Sequence, residues 1–221
     1  MKKFSVKKAV LAVAAVALVG SVTVAAAGRL ASMEGHSNLN DQVKDYSALA
    51  GVEKEVGFDF PSVEEFSNGF RFVSALPTDN SDYDEDGNVL SSYKAVDLTY
   101  TDGAQNVSAY IYQSRSYGEE AAEAPGVVPV WQGEKNGISL TVTRTVYKFV
   151  PADYELTEED IQAQENGSVV FSYGSSEVQE QVSYNCSFEK DGLSYDVMGF
   201  DLTMEPEQLA EMAAELVTMG E

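Results

Sequence analysis

Residues 187–216 place the strongest constraint on the fold, because they combine a β-hairpin with an amphipathic helix. The dipeptide Asp191-Gly192 is typical of two-residue hairpin turns, and it joins the strand-like segments SYNCSFEK and LSYDVMGF. Further along the chain, Leu209 and Leu216 belong to an apolar stripe with helical spacing. We therefore predict a C-terminal helix that packs on a β-sheet and forms part of the hydrophobic core.

The middle of the chain is rich in strand-forming residues. The segments VLSSYKAVDLTYT, NVSAYIYQ and ISLTVTRTVYKFV abound in valine, threonine and tyrosine, and Asp-Gly and Asn-Gly turns separate them. In the second segment, Val107, Ala109 and Ile111 alternate with serine and tyrosines, as in a strand with one buried face. Two more strands are predicted near residues 169–173 and 177–184. This pattern predicts a curved antiparallel sheet.

Two further helices are predicted. Leu49, Val52 and Val56 lie on one face of a short N-terminal helix. Another helix begins after Thr157, and it carries so little apolar surface that we expect it to lie loosely on the domain. Residues 117–129 lack strand character and are expected to form a loop. The predicted fold class is α+β, a curved antiparallel sheet with a short N-terminal helix and a packed C-terminal helix.

The N-terminal segment, residues 1–28, is predicted to lie outside the globular fold. A basic start at residues 1–8 precedes an uninterrupted run of uncharged residues at 9–28. A helix of that length matches the hydrocarbon thickness of a bilayer, while Ala27 closes an A-x-A pattern that a signal peptidase recognises. We therefore expect a membrane or signal helix at 1–28, either cleaved near Ala27 or retained as an anchor. A linker at 29–44 and one extracytoplasmic domain at 45–221 follow.

The expected extracytoplasmic part is strongly acidic. The chain has 36 acidic and 14 basic residues, a formal net charge of −22, and every acidic residue follows the apolar run. Such a surface repels phosphate backbones and anionic lipid headgroups. Nucleic acid is therefore excluded as a partner, and membrane contact is expected only through the N-terminal helix if it stays uncleaved.

The cysteine and histidine content argues against several kinds of chemistry. Cys186 is the only cysteine and His36 the only histidine, so neither an intramolecular disulfide nor a cluster of thiolate and imidazole metal ligands can form. A Ser-His-acid or Cys-His pair would need His36, which falls in the expected linker. Cys186 flanks a predicted strand, and we interpret it as a small, half-buried side chain. We therefore expect no enzyme activity and no catalytic residues.

Asp82, Asp84 and Asp86 form the most pointed local motif, in the segment DNSDYDEDGNVL. Alternate carboxylates followed by Gly87 match the first half of a calcium loop. The second half departs from that motif, because Tyr93 stands at the twelfth position in place of a bidentate glutamate. The segment is a weak calcium candidate whose alternative is a solvated acidic turn, and no other cofactor is expected.

Trp131 is the only tryptophan, and it lies in the segment PVWQGEKNG. Together with the many tyrosines and phenylalanines it could line a groove beside the loop at 117–129. Tyrosines on strands are also typical of half-buried sheet positions. We take Trp131 as the candidate contact residue for a ligand or partner.

Five further blocks occur in order within residues 46–217: VEKEVGFDF, EEFSNGFRF, DEDGNVLSSYK, YKFVPADYELTEED and FEKDGLSYDVMGFDLTMEPEQLAEMAAEL. Together they resemble a bacterial family of uncharacterised extracytoplasmic domains, often the outer part of membrane-spanning anti-sigma-factor-like proteins. The resemblance implies a sheet-rich α+β domain with a C-terminal helix, a role in sensing or binding at the envelope, and no catalytic residues. Phe188 stands where the family usually has tryptophan. Only residues 1–8 would lie inside the cell, too few to fold into a sigma-binding module.

The leading functional expectation is an exported, non-enzymatic envelope domain that binds a protein, a peptide or an envelope ligand. The first alternative is a membrane-anchored sensory or regulatory protein that acts through a partner, in the manner of anti-sigma-related signalling. The second alternative is an acidic hydrolase, which two carboxylates about 5–10 Å apart in a cleft would favour.

Overall fold

The computed structural model describes residues 32–84, 86–115 and 127–218, and in these ranges the chain forms nine β-strands and three α-helices. The strands are β1 (Ser32–Ser37), β2 (Arg71–Tyr83), β3 (Val89–Thr101), β4 (Asn106–Gln113), β5 (Val128–Lys135), β6 (Ile138–Val150), β7 (Val170–Tyr173), β8 (Gln179–Lys190) and β9 (Leu193–Phe200). The helices are α1 (Leu49–Val56), α2 (Glu158–Glu165) and α3 (Pro206–Thr218).

All the strands belong to one curled sheet that has the shape of a half-barrel. Its order is β1-β2-β3-β4-β9-β8-β6-β5, and β7 pairs with the part of β6 that β5 leaves uncovered. Every pairing is antiparallel except the one between β6 and β7. The prediction of a purely antiparallel sheet was therefore wrong at this pair. Helix α2 lies between the two strands, and a connection of that length lets the chain return in parallel.

Helices α1 and α3 pack on the same side of the sheet, which we call the helix face. One apolar cluster joins both helices to the inward residues of the central strands, including Leu98 of β3 and Ile111 of β4. In α3, Leu209 and Leu216 are fully buried in this cluster. The predicted α+β class, the short N-terminal helix and the packed C-terminal helix are confirmed.

The predicted hairpin between β8 and β9 is also confirmed. Asp191 and Gly192 both have a positive φ, 53° and 79°, as a two-residue turn of the primed type requires. The strands pair from Lys190 opposite Leu193 up to Ser183 opposite Phe200. This hairpin brings β9 to the centre of the sheet, where it pairs with β4 on its other side.

The segment expected to be a linker contributes to the sheet. Residues 32–37 form β1, which pairs along the outer edge of β2, and Val43 makes an isolated bridge with Ala75. The acidic segment pairs in the same way, because β2 continues to Tyr83 instead of ending before the aspartates. In both places the backbone pairs although the polar composition predicts a linker at 29–44 and a solvated turn at the aspartates.

Two other regions differ from the sequence prediction in detail. Most of the loop expected at 117–129 falls within residues 116–126, which lie outside the described ranges. Val128 and Pro129 already belong to β5. Helix α2 has the predicted capping box between Thr157 and Asp160, but Asp160 is buried and bonded to Lys148 of β6 at 2.5 Å. The ion pair between Asp160 and Lys148 therefore holds this weakly apolar helix against the sheet.

The predicted membrane or signal helix at 1–28 lies outside the described residues. Within the described ranges, each helix is too short or too polar to cross a bilayer. The proposed cleavage near Ala27 stays a prediction.

Candidate ligand-binding site

The sheet has a second face, opposite the helix face, which polar and aromatic side chains cover. Strand alternation and register place one row of side chains straight across this face. Directly opposite one another in successive strands lie Thr141, Ser187, Asp196, Tyr110, Asp97 and Leu76. We call this row the carboxyl row, because Asp97 and Asp196 flank Tyr110 within it.

Asp97 on β3 is a half-buried residue whose carboxyl group is largely desolvated. Burial raises its pKa from 3.8 to about 6, and a hydrogen bond from Ser108 opposes that rise. Its Oδ1 atom has no contact with solvent and no hydrogen-bond partner in the described part of the chain. The protein thus holds an unused acceptor that carries charge at neutral pH.

Asp196 on β9 is better supplied with donors. The Ser187 hydroxyl donates to its Oδ1 at 2.5 Å, and the Asn185 amide donates to the same atom at 3.3 Å. Burial nevertheless raises the pKa of Asp196, while these donors, Tyr112 and the charge of Arg115 act in the opposite direction. Desolvation is therefore the strongest influence on both carboxyl groups of the row.

Arg115 lies at one end of the second face, among Tyr93, Tyr112 and Asp82. Its guanidinium carbon is 3.4 Å from the centre of the Tyr93 ring and 4.8 Å from that of Tyr112. The same guanidinium forms an ion pair with the fully buried carboxylate of Asp82. The face can therefore hold a planar cation between aromatic rings and a carboxylate.

Tyr110 connects this aromatic group to the carboxyl row. Its ring centre lies 5.8 Å from that of Tyr112, and its hydroxyl donates to Asn80 Oδ1 at 2.8 Å and contacts the Thr78 hydroxyl at 3.1 Å. Burial raises the pKa of Tyr110 and of Tyr112 to about 12, so both are neutral donors at physiological pH.

A second aromatic group lies on the same face at the ends of β6 and β9. The rings of Tyr147, Phe149 and Phe200 pack against one another with centre distances of 5.6–6.1 Å. Burial, and the charge of Asp196 to a lesser extent, raise the pKa of Tyr147. The carboxyl row therefore runs between two aromatic groups.

Several buried polar atoms of the second face are unused. Besides Asp97 Oδ1, the Tyr93 hydroxyl and Asn185 Oδ1 have neither solvent contact nor a hydrogen-bond partner in the described residues. Native proteins seldom leave such atoms unpaired, because each costs about 1–3 kcal/mol. A molecule that brings donors to this face would recover that cost. The second face is therefore the candidate ligand-binding site.

The predicted calcium ligands do not converge. Asp82 points to Arg115 and to the Ser91 hydroxyl, which donates at 2.9 Å, whereas Asp84 accepts from the backbone amides of Asp86 and Asn88. Among the described residues, no three acidic, histidine or cysteine side chains are placed to hold a metal ion. These contacts are those of a turn and an ion pair, and calcium binding itself stays a prediction.

Trp131 lies on the other side of the sheet. It pairs opposite Val142 on the helix face and packs against the hydrophobic core, and its ring would contact any Cβ added at Gly133 within 2.8 Å. The Lys135 ammonium lies 5.7 Å from the ring centre. A contact role for Trp131 stays a prediction, but it would belong to a different surface from the second face.

Sequence reasoning missed Asp97 and Asp196, although a signal for them is present. Both are aspartates inside long strands, where aspartate is disfavoured, and both fall on the polar phase of the alternation. The same phase in β4 contains Tyr110 and Tyr112, which the sequence reading treated as ordinary sheet residues. The order of strands, which the sequence does not show, is what makes these residues one row.

Comparisons with protein-family models, with curated proteins and with solved structures found no match to this chain.

Proposed function

We propose that this protein is an exported, non-enzymatic binding domain of the cell envelope and that its ligand occupies the second face of the sheet. The single observation that supports this most is the set of buried acceptors without donors, Asp97 Oδ1 and Asn185 Oδ1, on a face rich in tyrosine. A rigid sheet with an apolar core on its other side gives these groups fixed positions, as a preformed binding site requires.

The positions of the two residues best suited to nucleophilic or acid-base chemistry support a non-enzymatic role. Cys186 is buried on the helix face, where burial raises the pKa of its thiol to about 12. His36 is on the edge strand β1, and its side chain is 73% exposed beside Glu34. Neither lies on the second face, so neither is expected to act on a ligand bound there.

A displayed library of random peptides and a panel of small polar metabolites, screened against the full-length protein, would test the binding function. Any binder found would then be measured against the double variant Asp97→Asn/Asp196→Asn. A matched double variant, Asp59→Asn/Asp153→Asn, removes the same charge from exposed positions. Selective loss in the first variant supports a second-face site, and equal binding by both variants overturns it.

Trp131→Ala serves as an independent arm of the same screen. Binders lost only in this variant would assign contact to the helix face, as the sequence reading predicted, and would contradict a second-face site. A screen that yields no binder at all would contradict the binding function.

The compartment is a further part of the proposal, and it is supported by the basic start and the uncharged run at 9–28. N-terminal sequencing of the native protein from membrane and soluble fractions would test it. An intact N-terminus found only in membranes favours the anchored regulatory protein that acts through a partner. A mature chain that starts near Gly28 in the medium favours a released binding domain.

Acidic hydrolase is the second candidate function, and the carboxyl row is the observation that favours it. Asp97 and Asp196 are separated by one intervening strand, so their backbones are about 10 Å apart. Inverting glycosidases use carboxyl groups separated by about 6.5–9.5 Å, one of them with a raised pKa. Turnover of a chromogenic glycoside panel that is lost in Asp97→Asn would establish this function, and no turnover between pH 4 and 8 would exclude glycoside hydrolysis on that panel.

A further inference from the structure

We propose that the second face binds a small organic dication of the diamine type, with an ammonium group directed to each carboxyl group of the carboxyl row. This inference rests on the proposed binding function and deepens it by naming the chemical class of the ligand. It is carried by the charge, the unused acceptors, the aromatic groups and the spacing of the second face.

The first argument is charge. Asp82, Asp97, Glu189 and Asp196 lie on the second face, and Arg115, at one end of this face, forms an ion pair with the first of them. Arg71, at the start of β2, instead pairs with Glu65 at 3.1 Å. The remaining basic residues of the strands alternate onto the helix face: Lys94, Lys135, Arg144, Lys148 and Lys190.

Most of the basic residues on the helix face have acidic or carbonyl partners there. Lys135 pairs with Glu207 and Glu211 of α3, and Lys148 pairs with Asp160 of α2. Arg115 is engaged with Asp82. None of these ion pairs involves Asp97 or Asp196, so a positive ligand would complement the carboxyl row.

The second argument is the kind of atom left unused. Asp97 Oδ1 and Asn185 Oδ1 are both acceptors, and Asn185 already donates its amide hydrogens toward Ser187 and Asp196. A ligand that satisfies these two atoms must donate hydrogen bonds to them and does not need to accept any. An ammonium group has three donors and no acceptor, whereas an anion or a carbonyl compound would add further acceptors.

The third argument is the aromatic lining. The ring of Tyr110 lies within the carboxyl row, Tyr112 lies beside the row on one side, and Tyr147, Phe149 and Phe200 lie on the other side. Aromatic faces attract cations, and the effect grows when water is excluded. The position of Arg115 between Tyr93 and Tyr112 is an internal example of this recognition in the same surface.

The spacing of the carboxyl groups indicates a ligand with two positive charges rather than one. Asp97 and Asp196 are each directly opposite Tyr110, in the strands on its two sides. Two strand spacings separate their backbones by about 10 Å, and side chains stand roughly perpendicular to a sheet. A linear five-carbon diamine such as cadaverine has ammonium groups far enough apart to approach both carboxyl groups, with its methylene chain across the Tyr110 ring.

Isothermal titration and amide NMR shifts of the full-length protein with cadaverine would test the inference, with pentylamine and pentanol as matched probes of one charge and none. We expect cadaverine to bind more tightly than pentylamine and pentanol not to bind. The double variant Asp97→Asn/Asp196→Asn should lose about tenfold or more in cadaverine affinity, the effect of a lost charge-assisted hydrogen bond. The control Asp59→Asn/Asp153→Asn should retain it.

Several outcomes would overturn the inference. Equal affinity for cadaverine and pentanol would exclude it. Equal loss of cadaverine affinity in the two double variants, or amide NMR shifts confined to residues of the helix face, would exclude it as well. If calcium ions bind more tightly than cadaverine, the carboxyl row is a metal site. If trilysine binds more tightly than cadaverine, the row is a site for a basic peptide. If no probe binds while the library screen yields a ligand of the second face, the diamine class fails and the binding function stands.

Discussion

Asp97 and Asp196 lie on the same face of the sheet, at matching positions on either side of Tyr110. Burial raises the pKa of both carboxyl groups, and neither has a lysine or arginine as a strand neighbour in the row. A sheet that needed these positions only for packing would be more stable with apolar or amide residues there. Their cost to stability is the reason to regard the second face as functional.

Asp97→Asn should stabilise the protein at alkaline pH. The folded state raises the pKa of Asp97 from 3.8 to about 6, so the stability linked to its protonation is complete below pH 3.8 and is lost as pH rises through 6. The variant should therefore gain about 3 kcal/mol in the free energy of unfolding at pH 8 and about half of that at pH 5. Urea denaturation at the two pH values measures the difference.

Asp153→Asn is the control for this measurement, since Asp153 is exposed and its replacement should leave stability unchanged at both pH values. A variant Asp97→Asn that is less stable than the natural protein at pH 8 would show that the carboxylate has a stabilising partner.

Arg115→Met should destabilise the fold strongly. The side chains of Arg115 and Asp82 are 15% and 0% exposed, and removal of one member of a buried ion pair costs about 3–5 kcal/mol. Arg115→Lys keeps the charge but loses the planar stacking on Tyr93, so an intermediate effect is expected. Urea denaturation of both variants measures their free energies of unfolding and shows which variant loses more stability.

Arg71→Met provides the matched comparison, because Arg71 and Glu65 form an ion pair whose side chains are 72% and 50% exposed. Exposed pairs contribute less than about 1 kcal/mol. Similar losses at Arg71 and Arg115 would contradict the importance of the buried pair.

Leu209→Asp should prevent folding of the domain. Leu209 is fully buried in the core that α3 forms with the sheet, and a carboxylate there costs more than about 4 kcal/mol. Leu209→Ala, which leaves only a cavity, should cost about 2–5 kcal/mol and remain folded. Circular dichroism during thermal melting distinguishes the three proteins. Glu211→Gln, which weakens an exposed ion pair with Lys135, should cost less than about 1 kcal/mol, and a Leu209→Asp variant that melts like the natural protein would refute the packing.

Cys186 should be unreactive in the native protein at pH 8. Its side chain is completely buried, and burial, with a smaller effect of Asp196, raises the pKa of its thiol to about 12. The thiolate fraction at pH 8 is then about one in ten thousand. Labelling with Ellman's reagent should be complete in urea and negligible without it. The variant Gln179→Cys, at an exposed position, should react at once, and equally rapid native labelling of Cys186 would show that this part of the core opens readily.

Local chemistry was enough to predict several elements. The hairpin at Asp191 and Gly192, helix α1 with Leu49, Val52 and Val56, and the capping box of α2 all depend on residues close together in sequence. Turn residues, caps and helical spacing act over a few positions, so the pattern of residue types is sufficient to specify them.

Other features depended on pairing between distant segments. Strand β1 forms only because residues 32–37 meet the edge of β2, and β7 is parallel to β6 because α2 connects them. Backbone hydrogen bonds in these places do not require a strongly apolar sequence, so composition gave no sign of them.

The sequence by itself determined an acidic chain with an α+β pattern, a C-terminal helix with one apolar face, and alternating strands with one polar face. The tertiary structure alone decided which strands are neighbours, and thereby placed Asp97, Tyr110 and Asp196 in one row. The physical reason is that alternation fixes the face on which a side chain lies, whereas the order and register of strands depend on the packing of the whole sheet against its helices.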